Sequence, residues 1–385
     1  MVDRVRYVLS FAALVSVSAL SGWAVAAPVA AASAPSPTPA EIVAAAPAAQ
    51  WVGIAPEDLL VLDLAPLAVS TEAVVTGLAA GDGVSVADPA PLSAAPEGTA
   101  AAAPAAAAAP SPVPARRVVI QLISPPYSQG WVANIRVLAA SHWWDGLAIV
   151  RVQDNYVVQW GDPQAETPGL ARPLPPSLQR MPQADYLAGK PGDCGRYAEI
   201  CPPASLAYFT SKDLRDAYAQ SAGFVAGWPV AVEGARSWPV HCYGSVGVGR
   251  NNAPDTGSGA ELYAVIGQAP RQLDRNIAVV GRVIEGMDLL SSLPRGTADL
   301  GFYATPQERT AIVSIRSGND VPDLPHYEYL STSSDSFARY VHARANRQDA
   351  FYIQPAGAVD VCNVPVPVRR VTVAPEEPAR KRTAK

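Results

Sequence analysis

Charge is scarce in this chain of 385 residues: Asp, Glu, Lys and Arg make up 16% of it, and the net charge is only −5. A chain so nearly balanced offers no broad basic face to a polyanion, so nucleic acid is excluded as a partner. Catalytic signatures are missing as well. There is no HExxH, Walker or GxSxG pattern, and the glycines of GSVGVGR (Gly244–Arg250) open no helix and have no acidic residue at the spacing a dinucleotide site needs. His142, His241, His326 and His342 have no partners at ligand spacing and read as surface or packing histidines. The four cysteines provide one CxxxxxxC spacing, Cys194 to Cys201, and only His241 lies beside a cysteine, so no metal is expected. No cofactor is implied either. Beyond the first residues no apolar run approaches the length of a membrane span, and no fixed-period repeat is present.

Alanine and proline are abundant instead. The hydrophobic fraction of 49% overstates the core, because much of it is Ala in Ala/Pro tracts, among 38 prolines, that bury little area per residue. The segment 1–26 has Arg4 and Arg6, an apolar run from Tyr7 to about Leu20, and Ala24-Val25-Ala26 in a small-x-small pattern, which reads as a cleaved secretory signal. An uncleaved anchor is the alternative, but serines interrupt the stretch. No cysteine follows the cleavage site to carry a lipid. Loss of Asp3, Arg4 and Arg6 takes the net charge from −5 to −6, and the mature chain is expected to be soluble, monomeric and periplasmic. In an oxidising compartment an even cysteine count suggests disulfides. Three pairings are open; Cys194 with Cys201 and Cys242 with Cys362 is the favoured one.

Residues 27–50 read as an Ala/Pro-rich linker, with a flexible or polyproline-like tether over Ala27–Pro47. LLVLDL (Leu59–Leu64) reads as a strand, followed by a disordered insertion over 65–115 in which Pro104, Pro110, Pro112 and Pro114 break the poly-Ala. RRVVIQL from Arg116 is a strand. The next segment carries a helix with Val132, Ile135, Leu138 and Ala139 on one face and Ser128 as its cap, and Leu147–Val152 and Tyr156–Trp160 are strands. Residues 163–241, rich in proline and aperiodic, read as a surface excursion with one helix near Lys212–Ala222. YGSVGVGR, ELYAVIG, IAVVGRVIEG and TAIVSIRSG (Thr310–Gly318) read as strands, and MDLLSSL as a short helix. A C-terminal extension, 319–373, combines a helix over Ser334–Ala345 with a β-like FYIQP, and 374–385 reads as a disordered tail.

The order of these blocks resembles the cyclophilin-type peptidyl-prolyl cis-trans isomerases. WVANIRVLA matches the helix with a central Val-Ala-Asn. WWDGLAIVRVQDNYVVQWGDP matches the Tyr-Asp-Gly-like turn followed by the arginine, aromatic and Gln-x-Gly-Asp. GSVGVGR, ELYAVIG and LDRNIAVVGRVIEGMD follow in the family's order, so the resemblance runs from about Leu59 to Gly318 and assigns 51–318 to one domain broken by 65–115 and 163–241. It implies a mainly β fold, an eight-stranded antiparallel barrel capped by two helices, with the site as a groove on the outer wall.

By the same resemblance Arg151 is the catalytic arginine, Tyr156, Val157 and Leu273 belong to the proline pocket, and Gln159 is the groove glutamine. In ELYAVIG the register is open; the one adopted gives Tyr263 the place of the pocket phenylalanine and Glu261 that of a glutamine. The sequence departs from the family at Gln272 and Ile277, which stand for the rim Trp and His, and at Val280, which stands for a Phe. The implied function is isomerisation of Xaa-Pro bonds in unfolded or proline-containing exported polypeptides. The rival is a weak or inactive module that binds proline-containing segments.

Overall fold

The computed structural model describes residues 36–66, 116–201, 207–349 and 351–371. The expected signal (1–26), most of the insertion 65–115 and the tail 374–385 lie outside the described residues. Eight strands form one antiparallel sheet: β1 (Leu59–Leu64), β2 (Arg116–Leu122), β3 (Ala148–Val152), β4 (Val157–Gly161), β5 (Ser245–Val248), β6 (Leu262–Val265), β7 (Val279–Glu285) and β8 (Ile312–Ser317). Their spatial order is β8-β1-β2-β7-β5-β6-β4-β3. The two end strands nearly close the barrel: Ile149 N donates to Thr310 O at 2.9 Å and Ile312 N to Leu147 O at 2.8 Å.

Two-residue alternation sends one side of each strand inward. Leu60, Leu62 and Leu64 of β1 meet Val118, Ile120 and Leu122 of β2 in the core, together with Val158 and Trp160 of β4 and Leu262 and Ala264 of β6. Helix α1 (Gln129–Ala140) adds Trp131, Val132, Ile135 and Leu138, and the short helix α2 (Met287–Ser291) adds Leu290. The expected cap is corrected: Ser128 has φ 53° and makes no side-chain cap bond. The Gln129 amide instead donates to Ile123 O and Tyr127 O at 2.9 and 2.8 Å, tying the helix start to the end of β2.

β1 is apolar on both faces because both are covered. Leu59 packs outward with Ile54, Val119, Tyr327 and Tyr329, under a sheet in which Tyr327–Leu330 lies between Trp51–Ile54 and Val368–Arg370. Trp51–Ile54 therefore pairs with the C-terminal extension, not with the barrel. The tether expected over Ala27–Pro47 is helical in part. Pro39–Ala44 is a helix held by a Thr38–Glu41 capping box, and its buried Ile42 packs in one cluster with Phe337 and Val341 of helix Asp335–Ala345. FYIQP is not a strand; Phe351 and Ile353 are exposed.

The region 163–241 is more than an excursion. It builds an antiparallel sheet from Tyr208–Phe209, Ser221–Val225, Trp228–Glu233 and Arg236–Pro239. No helix forms near Lys212–Ala222. Ala226 and Gly227, at φ 49° and 83°, make a two-residue turn that pairs Val225 with Trp228, and the flanking residues alternate across the resulting hairpin.

Both favoured disulfides are present, Cys194–Cys201 and Cys242–Cys362. The second joins the approach to β5 to the turn Val361–Asn363 in the extension, across 120 residues. On the chain-entropy account a closure of that length stabilises by roughly 4 to 5 kcal/mol. Replacement of Cys242 and Cys362 together by Ser should lower the denaturant midpoint accordingly, whereas the oxidised parent should lose barrel and extension signals in one transition. An unchanged midpoint would show that the bridge adds no stability.

Candidate functional site

A groove of about 720 Å³ runs along the outer wall over β3, β4 and β6, and Arg151, Tyr156, Val157, Gln159, Glu261, Tyr263 and Leu273 all line it. The alternation that turns Val158 and Trp160 inward leaves Val157 and Gln159 outward, and the pairing of Tyr263 with Gln159 and of Val265 with Val157 sets β6 beside them. Val157, Tyr263 and Val265 form a separate buried apolar cluster, with Tyr156, Leu273 and Ile277 packed against it. Its members Tyr156, Val157, Tyr263, Leu273 and Ile277 form the floor of the groove, with Val265 buried beneath them. Tyr263 also needs the glycine opposite it, since a Cβ on Gly247 would lie 2.3 Å from its hydroxyl oxygen.

Strict alternation along AIVRV would put Arg151 on the face opposite Val150. A register shift between Ile149 and Arg151 against β4 breaks that expectation, and Val150 and Arg151 both line the groove while Ile149 and Val152 enter the core. The guanidinium is clamped on several sides. Nε donates to Leu300 O at 2.7 Å, Nη1 to Gln159 Oε1 at 3.3 Å, and Nη2 to Gln153 Oε1. The rings of Tyr156 and Phe302 lie 5.5 and 5.2 Å from its carbon. Burial holds the Arg151 pKa below its ordinary value.

Gln159 Nε2 donates to Glu261 Oε2 at 2.8 Å, so Arg151, Gln159 and Glu261 form a polar line along one side of the floor. Burial raises the Glu261 pKa, outweighing the hydrogen bond from Gln159, and the nearby carboxylates of Glu166, Asp162 and Asp255 push the same way. Of the departures from the family pattern, Ile277 packs on the groove floor, Val280 is buried in the barrel core, and Gln272 is exposed outside the groove lining.

Sequence reasoning missed what lies beneath the floor. His241, assigned to the surface or to packing, is fully buried with both ring nitrogens engaged: Nδ1 is 2.9 Å from Asp274 Oδ1 and Nε2 is 2.9 Å from the Tyr263 hydroxyl. Opposite a carboxylate Nδ1 donates, and in the neutral imidazole Nε2 then accepts the Tyr263 O–H. Asp274 also accepts from Arg271 Nε at 2.7 Å, and Arg271 Nη2 lies 2.9 Å from Asp216. Burial opposes ionisation of Asp274, but His241 and Arg271 more than offset it and its pKa is lowered. Burial drives the Tyr263 pKa well up. The turn that carries Leu273 is thus anchored on both sides, by Arg271 and by Asp274. The polar residues flanking Leu273 were the available signal, but His241 is 33 positions from Asp274 and nothing local joins them.

Residues 130–317 match the family model of cyclophilin type peptidyl-prolyl cis-trans isomerase/CLD. Among solved structures, cyclophilin AquaCyp293 from Hirschia baltica is 17% identical, with a TM-score of 0.53 over 83% of this chain and 93% of that one. At that identity the likeness is one of fold. A cyclophilin type peptidyl-prolyl cis-trans isomerase from Cryptosporidium parvum, solved in the presence of the dipeptide ala-pro, is 12% identical with a TM-score of 0.29, over 52% of this chain and 92% of that one. No curated protein matches the chain.

The raised pKa of Glu261 yields a prediction with a definite sign. A carboxyl that is harder to ionise in the folded state loses stability as pH rises from its unfolded value, about 4.3, through its higher folded value. Glu261→Gln keeps an acceptor for Gln159 without the charge. It should therefore be more stable than the parent at pH 7, with the gap closing below about pH 4. Paired thermal melts at both pH values check this, and a constant gap would refute it.

Proposed function

We propose that this chain, whose residues 130–317 match the family model of cyclophilin type peptidyl-prolyl cis-trans isomerase/CLD, rotates Xaa-Pro bonds of exported polypeptides in the groove that Arg151 borders. The observation that carries this reading is the position of that guanidinium: it is held by Leu300, Gln159 and Gln153 at the edge of an apolar floor made by Val157, Tyr263, Leu273 and Ile277. A proline ring fits against such a floor through apolar contact alone. The adjacent peptide bond then lies within reach of the arginine.

Rotation of an amide meets a barrier of ~18–20 kcal/mol because it breaks the C–N resonance. In the twisted state the prolyl nitrogen becomes pyramidal and regains a lone pair. Nη1 and Nη2 of Arg151 each keep one N–H beyond those given to Gln159 and Gln153. A donor aimed at that lone pair stabilises the twisted state more than the planar one, which is the requirement for acceleration. Each ~1.4 kcal/mol of such preference gives a tenfold rate increase. No covalent intermediate is formed. Gln159 supports the arrangement by presenting its carbonyl oxygen to Arg151 while its amide group is held by Glu261.

A second reading, a module that binds proline-containing segments with little turnover, is favoured by Gln272. Where the family has a rim tryptophan, this residue is exposed and contributes nothing to the groove lining. Export is supported by Arg4, Arg6, the apolar run after them and Ala24-Val25-Ala26, and by two disulfides that would persist in a periplasm but not in a reducing cytosol. No helix among the described residues is long and apolar enough to cross a membrane.

Two outcomes are expected. Exchange NMR on short Xaa-Pro peptides should show catalysed interconversion by the parent, and Arg151→Lys should lose roughly ten to a hundredfold in rate while peptide affinity falls less, because hydrogen bonds from a charged donor are worth ~1.5–3 kcal/mol and the apolar floor is untouched. An Arg151→Ala protein that is folded and isomerises as fast as the parent would refute the assignment; binding without isomerisation in the parent would establish the second reading. Amino-terminal sequencing of periplasmic protein should begin at Ala27, and a full-length chain retained in the inner membrane would refute export.

A further inference from the structure

Away from the groove, a second cavity of about 260 Å³ lies where the barrel wall, the four-stranded sheet and the C-terminal extension meet, and it shares no lining residue with the groove. Its walls are mainly apolar, with Phe224 and Trp228 from the sheet, Val279 from β7, and Val364 and Val366 from the extension. The exception is Arg282. Its guanidinium is fixed by Gln121 Oε1, which accepts from Nε at 3.0 Å and from Nη2 at 2.8 Å, and by Gly227 O, which accepts from Nη1 at 2.8 Å. Trp228 and Tyr329 lie over it at 4.7 and 5.8 Å.

None of these partners carries a negative charge, and among the described residues Arg282 has no carboxylate within ion-pair distance. In contrast, Arg117, Arg271, Arg316 and Arg370 all have one. Burial lowers the Arg282 pKa to about 10, which still leaves it a cation at any physiological pH. The residue is half-buried, and a cation in that setting without a counter-charge attracts an anion more strongly than one in open water. Each terminal nitrogen retains one N–H. Unused guanidinium N–H groups therefore border a largely apolar space.

We propose that this cavity binds a small apolar carboxylic acid, with its carboxylate on Arg282 and its hydrocarbon part against Phe224, Val279, Val364 and Val366. The fork of Arg282 suits a planar two-oxygen head, and the apolar walls account for the remainder of the molecule. Because the site lies partly on the extension that the Cys242–Cys362 bridge secures, it requires the oxidised full-length fold.

Calorimetric titration of the oxidised protein with octanoate and with 1-octanol tests the assignment. Octanoate should bind at least tenfold more tightly than the alcohol, an excess of proline peptide should not displace it, and Arg282→Gln should weaken octanoate at least tenfold while leaving the alcohol unchanged. If Arg282→Gln fails to fold by circular dichroism, the cavity-filling variant Val364→Trp provides the second arm and should abolish octanoate binding. Equal affinity of the parent for acid and alcohol, absence of binding, displacement by proline peptide, or full binding by either folded variant would overturn the proposal and leave Arg282 as a clip between sheet and barrel.

Discussion

Two-residue alternation in β4 and β6 is the constraint on which both the core and the groove depend. The same pleat that points Val158, Trp160, Leu262 and Ala264 into the barrel points Val157, Gln159, Tyr263 and Val265 out of it. Interior and outer floor are thus opposite faces of one strand pair, and a slip of one residue would exchange them. β3 departs from this rule at one point, and the departure is what brings Val150 to the groove beside Arg151. An arginine on a regular edge strand would be free to swing into solvent. Here the bulge, the Leu300 carbonyl and two aromatic faces leave it little freedom.

A barrel wall alone would not hold the groove floor in place, because its lip is a turn rather than a strand. That turn, with Leu273 and Ile277, is anchored by Arg271 and Asp274, and the chain of contacts continues through His241 to the Tyr263 hydroxyl. Asp216 comes from the region between β4 and β5, so that long region braces the groove from behind. A connected buried network of this kind depends on every member: removing one charge strands its neighbour in a medium where an unpaired ion is strongly unfavourable. The Cys242–Cys362 bridge begins one residue from His241 and couples the extension to the same spot.

Much of the barrel was legible because its strands carry local signals. LLVLDL, RRVVIQL and IAVVGRVIEG are apolar runs bounded by turns, and their order matched a known sequence of blocks, which led to all the groove residues named from sequence. The misreadings have physical causes as well. Prolines in 163–241 suggested an absence of regular structure, yet Pro229 and Pro239 sit within paired strands, and Trp228, Val230 and Val232 already alternate along the chain. Helix Pro39–Ala44 was hidden by the Ala/Pro composition around it, although its capping box, Thr38 with Glu41, is local and readable. Ser128 looked like a cap by residue type, but its left-handed backbone turns the side chain away from that role.

By itself the sequence determined the strand and helix sites of the barrel, the residue types along the groove, and an even set of cysteines, because alternation, turn chemistry and motif order are properties of neighbouring positions. Only the tertiary structure decided that Val150 shares a face with Arg151, that His241 stands between Tyr263 and Asp274, that Trp51–Ile54 joins the extension, and that Arg282 borders an apolar cavity. Each of these depends on segments far apart in the chain that meet by burial and hydrogen-bond satisfaction. A buried charge acquires its partner, or goes without one, from whichever segment the packing brings alongside, and no local pattern records that choice.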